Sequence, residues 1–217
     1  SINTEFGLES QITTGDNSII VIERGAYPAS RSDKRERIVS LSPDNGEENW
    51  SLIPDRDSDR GGYSDIVTYD GSVYFTQRVD LGRDRAPYLH KITSGNVDWK
   101  KEVQKGMPIG YSSGSYRINV VTPAVTGTGT YAQGDSRNLS KYSRTDGTKE
   151  WSSSTMVENI RTVDGGIIAT TVSDGSGEIQ KFDSDGLRQW THQFGSDYSP
   201  LDQDTFSGFG MLHSLEN

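Results

Sequence analysis

The sequence predicts an all-β chain folded as a small β-propeller, on three observations. Its four tryptophans each stand four residues after a glycine, in the pairs Gly46/Trp50, Gly95/Trp99, Gly147/Trp151 and Gly186/Trp190. Two apolar residues three apart precede each glycine: Ile38/Leu41, Leu89/Ile92, Leu139/Tyr142 and Ile179/Phe182. The tryptophans are 49, 52 and 39 residues apart, the length of one four-stranded sheet with its turns, and no helical period of 3.6 is sustained. A lone small sheet leaves an apolar face in water, and radial stacking of the copies removes that exposure. An aromatic at one fixed position in every copy packs between neighbouring sheets, so the four Gly–Trp pairs read as a structural repeat motif.

The first copy, residues 11–54, holds an apolar run Ser18 to Ile22 and a second strand Arg37 to Leu41. Ser42-Pro43-Asp44-Asn45-Gly46 is a turn, because proline presets φ and Asn-Gly supplies positive-φ positions. Glu48 to Leu52 then leads out. The second copy, 63–104, runs through Asp65 to Tyr69, the hairpin signal Asp70-Gly71, Ser72 to Thr76, Tyr88 to Ile92, the turn Thr93-Ser94-Gly95, and Val97 to Trp99. The third, 116–155, has Ile118 to Val121, a Gly- and Thr-rich run, Tyr131 to Gln133, Leu139 to Tyr142 and Trp151. The fourth, 158–195, has Ile160 to Val163, the turn Asp164-Gly165-Gly166, Ile167 to Val172, Ile179 to Phe182 and Trp190. Strand-like segments at 2–8 and 199–217 flank the copies. They suit one composite blade closed by both termini, which makes a single domain over 1–217 with about five four-stranded blades. A four-bladed ring and a fragment of a larger propeller are the alternatives.

Composition narrows the function classes. The formal net charge is -9 and no basic stripe runs along the chain, so nucleic-acid binding is not expected. No stretch approaches the roughly 20 apolar residues that cross a bilayer, so no membrane insertion is expected. SINTEFGLES has neither a basic nor an apolar leader region, and the chain reads as soluble, with either a leader or only a starting methionine removed. There is no cysteine, hence no disulfide, thiolate metal site or thiol nucleophile. Asp outnumbers Glu by 20 to 11 and Arg outnumbers Lys by 14 to 8. That bias fits a salt-rich, halophilic setting and equally a turn-rich β protein, in which Asp caps turns.

The repeats resemble the tryptophan-docking motif of the pyrroloquinoline-quinone-like (PQQ-like) repeat propellers. In that family a blade ends in an apolar strand, an Asp- and Gly-containing turn, and a Trp four residues past the Gly. The alanine and aspartate usual around the turn are here Ser40/Ser42, Lys141/Ser143 and Lys181/Asp183, and the second copy has a shorter turn. The resemblance implies fold more than activity. Quinone-dependent dehydrogenases of this type are much longer, bind calcium and carry vicinal cysteines, so no cofactor and no catalysis are expected.

Candidate sites are few. Asp55, Asp57 and Asp59 alternate as in a calcium loop, but Gly61 comes one place late and Ile66 stands where a bidentate glutamate belongs; no metal is expected. His90, His192 and His213 share no metal-ligand spacing. There is no Gly-x-Ser-x-Gly elbow, phosphate loop or dinucleotide fingerprint. Two sequons, at Asn49 and Asn138, are short patterns of the kind chance produces. The loops at 55–63, 80–85 and 105–117 interrupt the repeats, and recognition residues sit on such loops. Tyr111, Tyr116 and Arg117 are the candidate partner-binding residues. The expected function is a non-catalytic binding or assembly module with a protein partner or oligomeric assembly, extracellular, at a cell surface or on a virion. A lectin that binds cell-surface glycan is the alternative.

Overall fold

A computed structural model describes residues 6–15, 17–25, 36–54, 64–81, 84–104, 107–108, 121–173 and 176–194. The chain is all-β: four antiparallel sheets, each with four strands in chain order, and among the described residues one 3-10 turn and no α-helix. It divides into two units, Ser1–Val120 and Val121–Asn217.

In the first unit, sheet one comprises β1 (Phe6–Gly15), β2 (Ser18–Gly25), β3 (Glu36–Leu41) and β4 (Glu48–Leu52). Sheet two comprises β5 (Val67–Tyr69), β6 (Ser72–Leu81), β7 (Asp84–Thr93) and β8 (Asn96–Glu102), with β9 (Met107–Pro108) added beside β7. Two tight hairpins of sheet two have positive φ at both central residues, 50° and 69° at Asp70-Gly71 and 50° and 79° at Ser94-Gly95. That geometry matches the twist of the flanking strands. Ile20, Ile22 and Ile38 of sheet one pack on Ile66, Val73, Phe75 and Ile92 of sheet two, with Trp50 and Leu52 against the cluster.

The second unit repeats the arrangement. Sheet three comprises β10 (Ala124–Val125), β11 (Thr130–Gln133), β12 (Asn138–Tyr142) and β13 (Lys149–Met156). Sheet four comprises β14 (Asn159–Val163), β15 (Gly166–Ser173), β16 (Ser176–Asp183) and β17 (Arg188–Gln193). Ala124, Tyr131 and Leu139 pack on Ile160, Ile167, Ala169 and Phe182, and Trp151 lies against this cluster.

The first strands of paired sheets are tied by a threonine in each unit. The Thr68 hydroxyl donates to the Thr14 carbonyl at 2.7 Å. Thr162 donates to the Val125 carbonyl at 3.0 Å and accepts from the Val125 N–H at 3.1 Å. Thr162→Val keeps the shape and removes both bonds. It is expected to cost about 1 kcal/mol, read as a lowered urea midpoint with an unchanged slope.

Some segments depart from the sequence reading. Asp80, Leu81, Asp84 and Arg85, expected in a loop at 80–85, are strand residues: the β6–β7 ladder continues through Asp80↔Arg85 and Leu81↔Asp84, with Met107 and Pro108 paired on β7 at Arg85 and Asp84. Charged side chains suggested a loop there, but a backbone ladder needs no apolar residues. Phe6 and Gly7 pair with Arg24 and Gly25 of β2, so the start of β1 extends sheet one. The first strand of sheet three is Ala124–Val125, inside the Gly- and Thr-rich run that follows the expected Ile118 to Val121. Residues 1–5 and 195–217, which carry most of the expected closing strands, lie outside the described residues.

Candidate functional site

One row of side chains crosses each sheet at the tryptophan. In sheet two it is Tyr74, Lys91 and Trp99; in sheet three, Tyr131, Lys141 and Trp151. The tyrosine and tryptophan rings meet edge to face in both, at 6.2 Å and 6.1 Å. The corresponding rows in sheets one and four are Ile20, Ser40, Trp50 and Ile168, Lys181, Trp190.

A register shift sits at the same point in all four sheets, immediately before the tryptophan. It leaves Asn49, Asp98, Glu150 and Gln189 without an opposite residue. Such a bulge re-aims the extra side chain. Asp98 meets Lys91 at 3.1 Å, and Glu150 meets Lys141 at 3.2 Å. Asn49 reaches the Ser40 hydroxyl at 3.5 Å. Gln189 behaves differently: its amide donates to Asp183 Oδ2 at 2.6 Å and to the Leu187 carbonyl at 3.2 Å. The sequence carries this signal in the pairs Asn49-Trp50, Asp98-Trp99, Glu150-Trp151 and Gln189-Trp190, which tryptophan spacing alone overlooks.

The turns before Trp50, Trp151 and Trp190 show how serine stands in for the family's aspartate. Ser42 Oγ accepts from the Asp44 N–H at 3.3 Å, and Ser143 Oγ from the Thr145 N–H at 3.2 Å. Asp183 Oδ1 accepts from Asp185 and Leu187 at 3.0 and 2.9 Å. Serine therefore caps the turn as aspartate does.

Each glycine has a second role where a neighbouring sheet meets it. Gly95, at φ +79°, lies under Trp50, and a Cβ there would stand 3.1 Å from the Trp50 Cβ. Gly186, at φ +83°, lies against the Trp151 indole, where a Cβ would overlap the ring. Gly46 has nothing within 4 Å of a Cβ position. Gly147 has φ +70° and is buried. Trp99 is buried, Trp50 and Trp151 are half-buried, and Trp190 is 46% exposed.

Among the described residues three groups titrate away from their ordinary range, and no two share a sheet. Burial, then the nearby Lys100 charge, pulls His90 from 6.5 to about 3. Its ring stacks on Phe75 at 4.7 Å, and neither nitrogen has a hydrogen-bond partner. Burial raises Tyr131, whose hydroxyl donates to the Ser184 carbonyl at 2.6 Å. Hydrogen bonds from Gln193 and Gln180 lower Glu178. His192 lies on exposed β17, edge to face with Phe194 at 5.6 Å. Among the described residues no three His, Asp or Glu side chains could hold a metal ion. No helix among the described residues is long and apolar enough to cross a membrane. Tyr111, Tyr116 and Arg117 lie outside the described residues, as do Asp55, Asp57 and Asp59.

Four-stranded meanders with a shared turn, bulge and tryptophan define the chain as a β-propeller repeat protein. The family model described as "Outer membrane protein assembly factor BamB", a PQQ-like repeat model, matches residues 34–163 and 93–206. The chain belongs to that PQQ-like repeat family. No curated protein sequence matches it significantly. Similar solved structures include BamB from Moraxella catarrhalis, with 12% identity over 85% of this chain and 62% of that one, TM-score 0.37. Another is the quinohemoprotein alcohol dehydrogenase from Comamonas testosteroni, with 17% identity over 59% of this chain and 20% of that one, TM-score 0.41. A third is the computationally designed Ika4 protein, with 11% identity over 87% of this chain and 94% of that one, TM-score 0.44. The chain thus spans 62% of the length of that BamB and a fifth of that dehydrogenase.

Proposed function

We propose that the chain is a non-catalytic β-propeller module that binds protein partners outside the cytoplasm, at a cell surface or on a particle. The observation that carries this reading is the match of two overlapping segments to a propeller family described as an assembly factor. The outward strands support it. Val97 on β8, Met156 on β13 and Trp190 on β17 are 46%, 52% and 46% exposed, as are Ile53 and Leu187 beside β4 and β17. Apolar side chains on last strands, whose outer edges pair with no further strand of their own sheets among the described residues, suit a partner that adds a strand or packs on the rim. The buried, unpartnered His90 belongs to the core and not to a proton-transfer pair.

The test is cross-linking of the purified chain in an envelope or particle fraction, repeated with Val97→Glu and Met156→Glu. The same protein partner should be captured by the parent and lost severalfold from the variants, with thermal unfolding unchanged. Reduction of an artificial electron acceptor with quinone, calcium and an alcohol would overturn the reading. So would saturable glycan binding with no protein partner.

A further inference from the structure

We propose that Asn45 is a self-modification site: it deamidates through the Gly46 nitrogen when the turn of sheet one opens, and Glu47 is the clamp that holds the turn shut. Asn45-Gly46 is the single Asn-Gly pair of the chain, and both residues are exposed. Nothing lies within 4 Å of the place a Gly46 Cβ would take, so no side chain from elsewhere in the fold shields that nitrogen.

The reaction needs only water. The Gly46 nitrogen gives up its proton and attacks the Asn45 Cγ. An N–Cγ bond forms, the Cγ–Nδ2 bond breaks, and the amide nitrogen leaves with that proton as ammonia. Water then opens the cyclic imide at either carbonyl, leaving aspartate or isoaspartate. The closed turn holds every reacting group elsewhere. The Gly46 N–H donates to the Ser42 carbonyl at 2.9 Å. Asn45 Oδ1 accepts from the Glu47 N–H at 3.0 Å, and Asn45 Nδ2 donates to Glu47 Oε2 at 3.0 Å. Attack requires the first bond to break and the carboxamide to rotate out of the other two, so the reaction belongs to the locally opened turn.

Sheet three shows what the product would meet. Its turn has the same backbone bonds: Ser143 N–H to the Thr148 carbonyl at 2.8 Å and Gly147 N–H to the Ser143 carbonyl at 3.0 Å. Asp146 stands in the place of Asn45, and it accepts from the Thr148 N–H at 3.0 Å and the Thr148 hydroxyl at 2.8 Å. Aspartate therefore suits this turn when the residue two further on is a donor. In sheet one that residue is Glu47, a carboxylate, and only an amide at position 45 can donate to it. Deamidation replaces the bond with two carboxylates at close range, which repel. Isoaspartate also routes the main chain through the former side chain and lengthens it, so the bond from Gly46 to Ser42 cannot re-form. Either product loosens the β3–β4 hairpin and leaves the turn of sheet three intact.

The full chain is incubated at neutral pH, folded and in urea, and each asparagine is followed by peptide mass. Asn45 should convert faster than any other asparagine in urea, and severalfold more slowly in the fold. Glu47→Ala should raise the folded rate severalfold and leave the rate in urea unchanged. Asn45→Asp should lower the thermal midpoint, and Glu47→Thr added to it, which copies Asp146 and Thr148, should restore the midpoint. A folded rate equal to the rate in urea, or one unmoved by Glu47→Ala, overturns the proposal. So does a loss in Asn45→Asp that Glu47→Thr fails to relieve. The inference goes beyond the proposed function, and no readout in it involves a protein partner.

Discussion

Gly186→Ala will destabilise the second unit by about 2 to 5 kcal/mol, whereas Gly46→Ala will cost about 1 kcal/mol in the first. Both glycines hold positive φ, +83° and +71°, a backbone state that costs an L side chain roughly 1 to 2 kcal/mol. Only at Gly186 does the new methyl meet a neighbour, and that neighbour is an indole already packed on the Ile160, Ile167 and Phe182 cluster. Overpacking of this kind adds about 1 to 3 kcal/mol. Gly95→Ala should fall between, because its Cβ would press on Trp50 at 3.1 Å, a distance closed by a shift of a few tenths of an ångström. Denaturant midpoints will rank Gly186→Ala as the most damaging, then Gly95→Ala, then Gly46→Ala. Trp151→Val should absorb most of the excess in a double-mutant cycle with Gly186→Ala. Additive effects of the two changes would show that the ring and the glycine do not share the cost.

Stability of the first unit is expected to fall as pH drops from 6.5 towards 3, and His90→Leu should flatten that fall. His90 is 2% exposed, stacked on Phe75 and without hydrogen-bond partners at either nitrogen. Burial and Lys100 hold its folded-state pKa near 3, below the 6.5 of the unfolded chain. Above 6.5 both states are neutral. Below 6.5 the unfolded chain takes up a proton that the folded chain refuses until about pH 3. The loss has a limiting slope of about 1.4 kcal/mol per pH unit. Carboxylates also titrate in this window, so the readout is the difference between the parent and His90→Leu at each pH. At pH 7.5 the variant should be no less stable than the parent, because a leucine leaves no polar atom unpaired. A constant difference from pH 7.5 to 4 would mean that His90 is protonated in the fold.

Much of the architecture can be read in the chain because tryptophan, glycine and paired turn residues are few and recur at fixed offsets. Ser94-Gly95 and Asp70-Gly71 announce two-residue hairpins, and β3 and β12 lie within a residue of their predicted limits at both ends, while β16 does so only at its C-terminal end. The strand placement of Asp80, Asp84 and Arg85 was hidden because charged residues look solvated, while ladder pairing is made by the backbone. The ion pair between Lys91 and Asp98 was hidden for a different reason. It depends on a bulge, and a bulge changes which residue faces which without changing composition. Thr68 and Thr162 were invisible because a threonine in a strand ordinarily signals only β preference. The Thr162 tie to Val125, 37 residues away, exists only in three dimensions.

The bulge fixes where this architecture can vary over evolutionary time. Only the five residues from glycine to tryptophan must keep their count, since one more or one fewer would swing the ring to the wrong side. Everything else in a copy can lengthen or shrink, which is why the spacing between successive tryptophans ranges from 39 to 52 residues while the offset never changes. New loops can thus be grafted onto the rim without retuning the interior.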